Sequence, residues 1–128
     1  MSNIPAQTHN YFQFMSLVGI DLEERQFLSQ LPLIFTEDII KNENGKTIVA
    51  GQEQLITQLR NARNYAFPWT MEITNTVCDT THKVAAIQFT WNSEKVGLHI
   101  TTAILKFDED NKINEIIEVY NKFADITH

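Results

Sequence analysis

Lys83 to Phe123 reads KVAAIQFTWNSEKVGLHITTAILKFDEDNKINEIIEVYNKF, and its three runs of β-branched and aromatic residues decide the fold. Val96–Phe107 and Lys112–Phe123 flank the acidic turn Asp108, Glu109, Asp110, Asn111, which predicts a hairpin. Lys83–Asn92 is a third run, ended by Ser93, Glu94 and Lys95. Together they predict an antiparallel meander.

Side chains alternate across a strand, so numbering parity separates the faces of the sheet. If the Lys106 ammonium reaches water, Ile100, Thr102 and Ile104 share its face, while His99, Thr101, Ala103, Leu105 and Phe107 point inward. In the preceding strand Gln88, Thr90 and Asn92 mark the wet face, leaving Ala85, Ile87, Phe89 and Trp91 inside, with Trp91 opposite His99. The last strand has no polar face, since Ile113, Ile117 and Val119 compete with Ile116 and Tyr120. Opposing Phe107 to Asn114 places Glu118 beside Ala103 and Tyr120 beside Thr101. Glu118, Tyr120, His99, Thr101 and Trp91 then converge on one concave surface. The outer face, with Ile100, Ile104, Ile113, Ile117 and Val119, is an apolar patch of the kind that marks an interface, here read as a homodimer contact.

Outward from the meander, Ser2 or Asn3 caps a first helix with Pro5 in its first turn, and Tyr11, Phe14, Met15 and Val18 form its stripe up to Gly19. Asp21 and Glu24 make a capping-box-like pair for a second helix, with Phe27, Leu28 and Leu31 buried and Pro32 as its stop. Phe35–Asn42 reads as an edge strand, Glu43–Gly45 as a turn and Thr47–Ala50 as a short return strand. Gly51 caps a third helix that runs until Pro68, and Trp69–Asp79 alternates apolar Trp69, Met71, Ile73 and Val77 with polar residues. The predicted class is α+β, with the order α-α-β-β-α-β-β-β-β and three helices gathered on one side of a curved antiparallel sheet.

The 128 residues, 43% of them hydrophobic, fit one domain spanning residues 1–128. A net charge of −6 without any Lys/Arg cluster argues against nucleic acid and anionic membranes as partners. Cys78 is the lone cysteine, so an internal disulfide is excluded and a thiolate zinc site lacks a second thiol. It has no neighbouring cation in sequence to activate it, and inert packing is the expectation. Without a basic, then apolar leader or a membrane-length apolar run, the expected setting is cytoplasmic. No metal site and no cofactor are predicted; Asp108, Glu109 and Asp110 are too few ligands for calcium.

Four segments carry a resemblance: Phe35 to Asp38 (FTED), Ala50 to Leu55 (AGQEQL), Lys106 to Ile113 (KFDEDNKI) and Glu118 to Asn121 (EVYN). In order and spacing they resemble the nuclear transport factor 2 like superfamily, which includes the SnoaL-like polyketide cyclases and steroid isomerases, over Ala6 to Phe123. The resemblance implies a cone whose pocket opens at the wide end, commonly as a dimer through the sheet. Counted onto this chain, the steroid isomerase pattern puts its base on Glu43 but finds Gln13 and Phe14 near the tyrosine position and Ala103 for the second carboxyl. That branch lacks its charge stabilisers. The epoxide hydrolase and cyclase branches are matched by Glu118 alone, with Ile116 and Ile117 where the hydrolases carry an arginine and Asn121 in place of the terminal aspartate.

The candidate site therefore comprises Glu118 and His99 as catalytic groups and Tyr11, Met15, Trp91, Thr101 and Tyr120 as ligand-binding groups. Facing inward among apolar residues, Glu118 has a raised pKa useful for acid/base work; on a flipped strand it is merely solvated. His99 is either its acid/base partner or a hydrogen-bonded core histidine. Tyr11 and Tyr120 either hold a ligand oxygen or fill the core. The corresponding function is a hydrophobic-small-molecule pocket, in its enzymatic form a cofactor-free isomerase, cyclase or hydratase with Glu118 as base. The alternative is a non-catalytic interaction or dimerisation domain whose cone is filled by its own side chains.

Overall fold

The computed structural model describes residues 3–122. Its elements are α1 (Ile4–Val18), α2 (Arg25–Ile34), β1 (Phe35–Glu43), β2 (Lys46–Ala50), α3 (Gln52–Ala66), β3 (Trp69–Asp79), β4 (Val84–Ser93), β5 (Gly97–Phe107) and β6 (Ile113–Lys122). The class and element order are those the sequence predicts. The strands form one six-stranded sheet in the order β2-β1-β6-β5-β4-β3, with the three helices packed against it.

Two readings of β1 change. It is an internal strand, hydrogen-bonded to β2 on one side and to β6 on the other, and the β1–β6 pairing is parallel. The sheet is thus mostly, not wholly, antiparallel. FTEDIIKN looks like an edge strand because Glu37 and Asp38 are exposed; the register between Phe35 and Ile40 is irregular, so these acids sit where the ladder is interrupted.

The helices start and stop by identifiable contacts. Asn3 Oδ1 accepts the Ala6 amide and caps α1, whose Tyr11, Phe14 and Val18 are buried. Asp21 does cap α2, but from a distance: its Oδ2 accepts the amides of Gln26 and Phe27. Glu24 is no capping-box partner. It occupies the left-handed region (φ 65°) and its carboxylate instead pairs with Arg60 and Arg63. Pro32 does not end α2, which continues to Ile34. The proline is exposed, and the helix loses only the one bond that Pro32 would have donated back to Leu28. Gly19 has a second duty: a Cβ there would overlap the Trp69 indole, which packs over it and donates from Nε1 to Met15 O at 3.3 Å.

Bulges explain the remaining departures. In β3 a register shift between Ile73 and Asn75 reverses the parity, so Val77 points outward, 68% exposed, while Cys78 turns in toward Thr8. In β6, Phe107 opposes Ile113, not Asn114, because the register slips beside Lys106. Ile113 is therefore core rather than outer face. Beyond that slip the pairs are Ala103 with Glu118, Thr101 with Tyr120 and Trp91 with His99.

Candidate functional site

The inward-facing residues of the three central strands change character at one level. On β1 buried Phe35 and Ile39 give way to Lys41 and Glu43; on β6 Ile113 and Ile116 give way to Glu118 and Tyr120; on β5 Leu105 and Ala103 give way to Thr101 and His99. Below that level the space is filled by α1 and α2. Above it, between α3 and the sheet, lies a cavity of about 550 Å³, within the range of small-molecule sites.

Its walls are mostly apolar: Met15 from α1, Ala62 from α3, and Trp69, Met71, Phe89 and Trp91 from β3 and β4. Gln54, Gln58, Asn61 and Tyr65 of α3 add polar groups along one side. The indoles are fixed at their edges, since Trp91 Nε1 donates to Thr101 Oγ1 at 3.0 Å and Trp69 Nε1 to Met15 O. Trp69 and Trp91 meet at 6.2 Å between ring centroids.

An ionic cluster stands at the inner end. The buried Lys41 ammonium lies 3.6 Å from Glu118 Oε2 and 3.9 Å from Glu43 Oε2, and donates to Gln58 Oε1 at 3.2 Å. The Tyr120 phenol interacts with Glu43. Burial raises the Glu118 pKa, Lys41 pulls it down and Glu43 pushes it up again, the net direction being upward. Burial, then the charge of Glu43, pushes the Tyr120 phenol up to about 12. Tyr11 lies beneath the cluster, fully buried, its hydroxyl without a hydrogen-bond partner among the described residues. Burial, followed by the charges of Glu118 and Glu43, raises its pKa well above 10.0.

Of the residues expected at the site, Glu118, Tyr120, Trp91, Thr101 and Met15 line the cavity; Tyr11 and His99 do not. His99 is buried on the same sheet face but stacks on the far side of Trp91, 4.0 Å between centroids and nearly parallel, and its Nδ1 donates to Gly97 O at 3.3 Å. It pairs across the ladder with Lys122, whereas Glu118 pairs with Ala103. Four residues of strand, about 13 Å, separate the two levels, too far for direct proton exchange. Desolvation lowers the His99 pKa, so the ring is neutral at neutral pH.

Lys41 escaped the sequence reading altogether, and Glu43 entered it only through the isomerase count. A signal existed: Ile39, Lys41 and Glu43 share one parity, and an inward Glu118 requires a counter-ion. Among the described residues no group of three or more His, Cys, Asp or Glu is placed to hold a metal, and no helix is long and apolar enough to cross a membrane.

No protein-family model and no curated protein matches the sequence. Solved structures do match. A protein of the SnoaL-like family from Agrobacterium tumefaciens, proposed to be an isomerase, is 9% identical over 90% of this chain and 97% of its own, with a TM-score of 0.72. A nuclear transport factor 2 like protein of unknown function from an Exiguobacterium species is 16% identical over 87% and 97%, with a TM-score of 0.69. A proposed SnoaL-like polyketide cyclase from Shewanella denitrificans is 11% identical over 91% of both chains, with a TM-score of 0.68. Three helices on a bulged, mostly antiparallel sheet, matched over nearly their whole length, give this chain the cone fold of the nuclear transport factor 2 like superfamily.

Proposed function

We propose that this chain binds a largely apolar small molecule in the cavity under α3 and acts on it by cofactor-free acid/base chemistry of the isomerase, cyclase or hydratase type. The observation that carries the reading is a buried carboxyl group, Glu118, set in the wall of an aromatic cavity beside a buried ammonium. Glu118 accepts or returns the proton, and its raised pKa brings it closer to neutral pH, where such a group works best. Tyr120 is the donor on the same wall. His99 acts one layer back, fixing the Trp91 plane by stacking on it. The fold hosts many functions, so the weight rests on these side chains.

The test is a thermal-shift screen of apolar acids, alcohols, lactones and amines against the full chain and against Ala62→Trp, which fills the cavity from its α3 side. Ligands that bind the folded state raise the melting temperature of the first and not of the second. A screen in which nothing discriminates between them overturns the pocket reading. For any substrate found, Glu118→Gln removes turnover and leaves the melting transition in place; unchanged turnover removes Glu118 from the mechanism.

A second reading concerns the convex face. Ile40, Ile104 and Val119 are exposed there, 42%, 37% and 52%, on adjacent strands. We infer a homodimer through this face. Val119→Lys shifts a dimer to monomer in sedimentation; a wild-type chain that is monomeric at high concentration overturns it.

A further inference from the structure

The polar inventory of the cavity is unbalanced. Lys41 has three ammonium protons and three partners, Glu118, Glu43 and Gln58. One proton is hydrogen-bonded to Gln58 at 3.2 Å, and the charge faces both carboxylates at 3.6 and 3.9 Å, so the positive charge of Lys41 is already balanced within the cluster. The carboxylates are in the opposite position. Among the described residues Lys41 is the sole ion-pair partner of the Glu118 side chain and of the Glu43 side chain. Each carboxylate can accept about four hydrogen bonds, so unused capacity at this end of the cavity is acceptor capacity. The lining residues contain one cation, Lys41, against two acids, Glu43 and Glu118, which leaves one negative charge in excess when both are ionised.

The remaining walls point the same way. Tyr65, Trp69, Phe89, Trp91 and Tyr120 surround the space, and the negative faces of such rings attract cations, more strongly where water is excluded. An acid entering here meets two carboxylates and one ammonium whose charge they already balance. A neutral hydrocarbon leaves the surplus charge uncompensated. An ammonium group corrects the charge, donates to the free carboxylate lone pairs and lies against aromatic faces.

Resting on the pocket reading above, we infer that the cavity takes a lipophilic amine, its apolar body against the aromatic walls and its ammonium at Glu118 and Glu43. Tyr11 from below, Tyr120 beside it and Tyr65 from α3 are the other titratable groups at this end, and none carries positive charge.

The experiment is isothermal titration calorimetry of the full chain at neutral pH with three matched probes: phenylbutylamine, phenylbutanol and phenylbutyrate. The amine is expected to bind about tenfold tighter than the alcohol, and the acid more weakly than the alcohol. Glu43→Gln lowers amine affinity to the level of the alcohol while alcohol affinity changes little. The wild-type ranking stands as a test even if that variant does not fold. Alcohol or acid binding as tightly as the amine overturns the inference and leaves the pocket reading intact. Failure of all three probes to bind overturns both.

Discussion

The two ends of the concave sheet face are made of the same three strands and follow different rules. At the narrow end Phe35, Ile39, Leu105, Ile113 and Ile116 close against Phe14 and Phe27, with Phe14 edge-on to both Phe27 and Phe35 at 6.1 and 5.3 Å. At the wide end the same alternation delivers Lys41, Glu43, Glu118 and Tyr120 beside open space. The first arrangement is stabilised by apolar burial and packing. The second desolvates three charges, and ion pairing in such places commonly no more than offsets that penalty. On the proposed reading, the charged side chains of the wide end serve ligand binding and not stability.

The comparison can be broken most directly by deletion at each end. Phe14→Ala should cost about 3–5 kcal/mol in chemical denaturation, the range for emptying a packed aromatic site, and no nearby second change should recover it. Lys41→Ala should cost about 3 kcal/mol or more by stranding the buried Glu118 carboxylate, but adding Glu118→Leu should recover most of it. The full apolar replacement, Lys41→Met with Glu118→Leu, should be neutral or stabilising by about 1–4 kcal/mol and should bind no ligand. If it proves strongly destabilising, the wide end is a structural core and the contrast dissolves.

A finer division comes from pH. Glu118 holds its proton more tightly in the folded chain than its ordinary value of 4.5, so the folded state binds more protons than the unfolded one between those two values. Its contribution is fully present below the ordinary value and is lost as pH rises through the raised, folded value. Denaturation midpoints measured across this window should fall with pH in the wild type and flatten in Glu118→Gln; an equal slope in both would move the effect elsewhere. The smallest effect belongs to Tyr120. Its phenolate absorbance should emerge only at about pH 12 and be missing from Tyr120→Phe, which should cost no more than about 1 kcal/mol.

Legibility in the sequence follows the same divide. Parity alone paired Trp91 with His99, and one assumed register paired Ala103 with Glu118 and Thr101 with Tyr120, as the structure has them. These are relations between neighbouring antiparallel strands. What was illegible depends on events parity cannot register: single-residue bulges that moved Ile113 into the core and Val77 out of it, and a parallel pairing of β1 with β6 that no turn announces. The cost at the site was Lys41. Lys41 shares the parity of buried Ile39, so it points to the concave face, where Glu118 and Glu43 are its ion-pair partners.

That parallel seam also fixes when the cavity can exist. Asn44 and Tyr120 exchange hydrogen bonds across 76 positions of chain, and Lys41 meets Glu118 over a comparable gap. Synthesis from the N-terminus therefore yields β1, β2 and α3 long before the strand that completes them. Until β6 inserts, the Lys41 amine has no Glu118 to face and every reason to stay hydrated. Formation of the cavity therefore waits on β6, and a chain that stops before Ile113 has neither a finished sheet nor the wall that carries Glu118 and Tyr120.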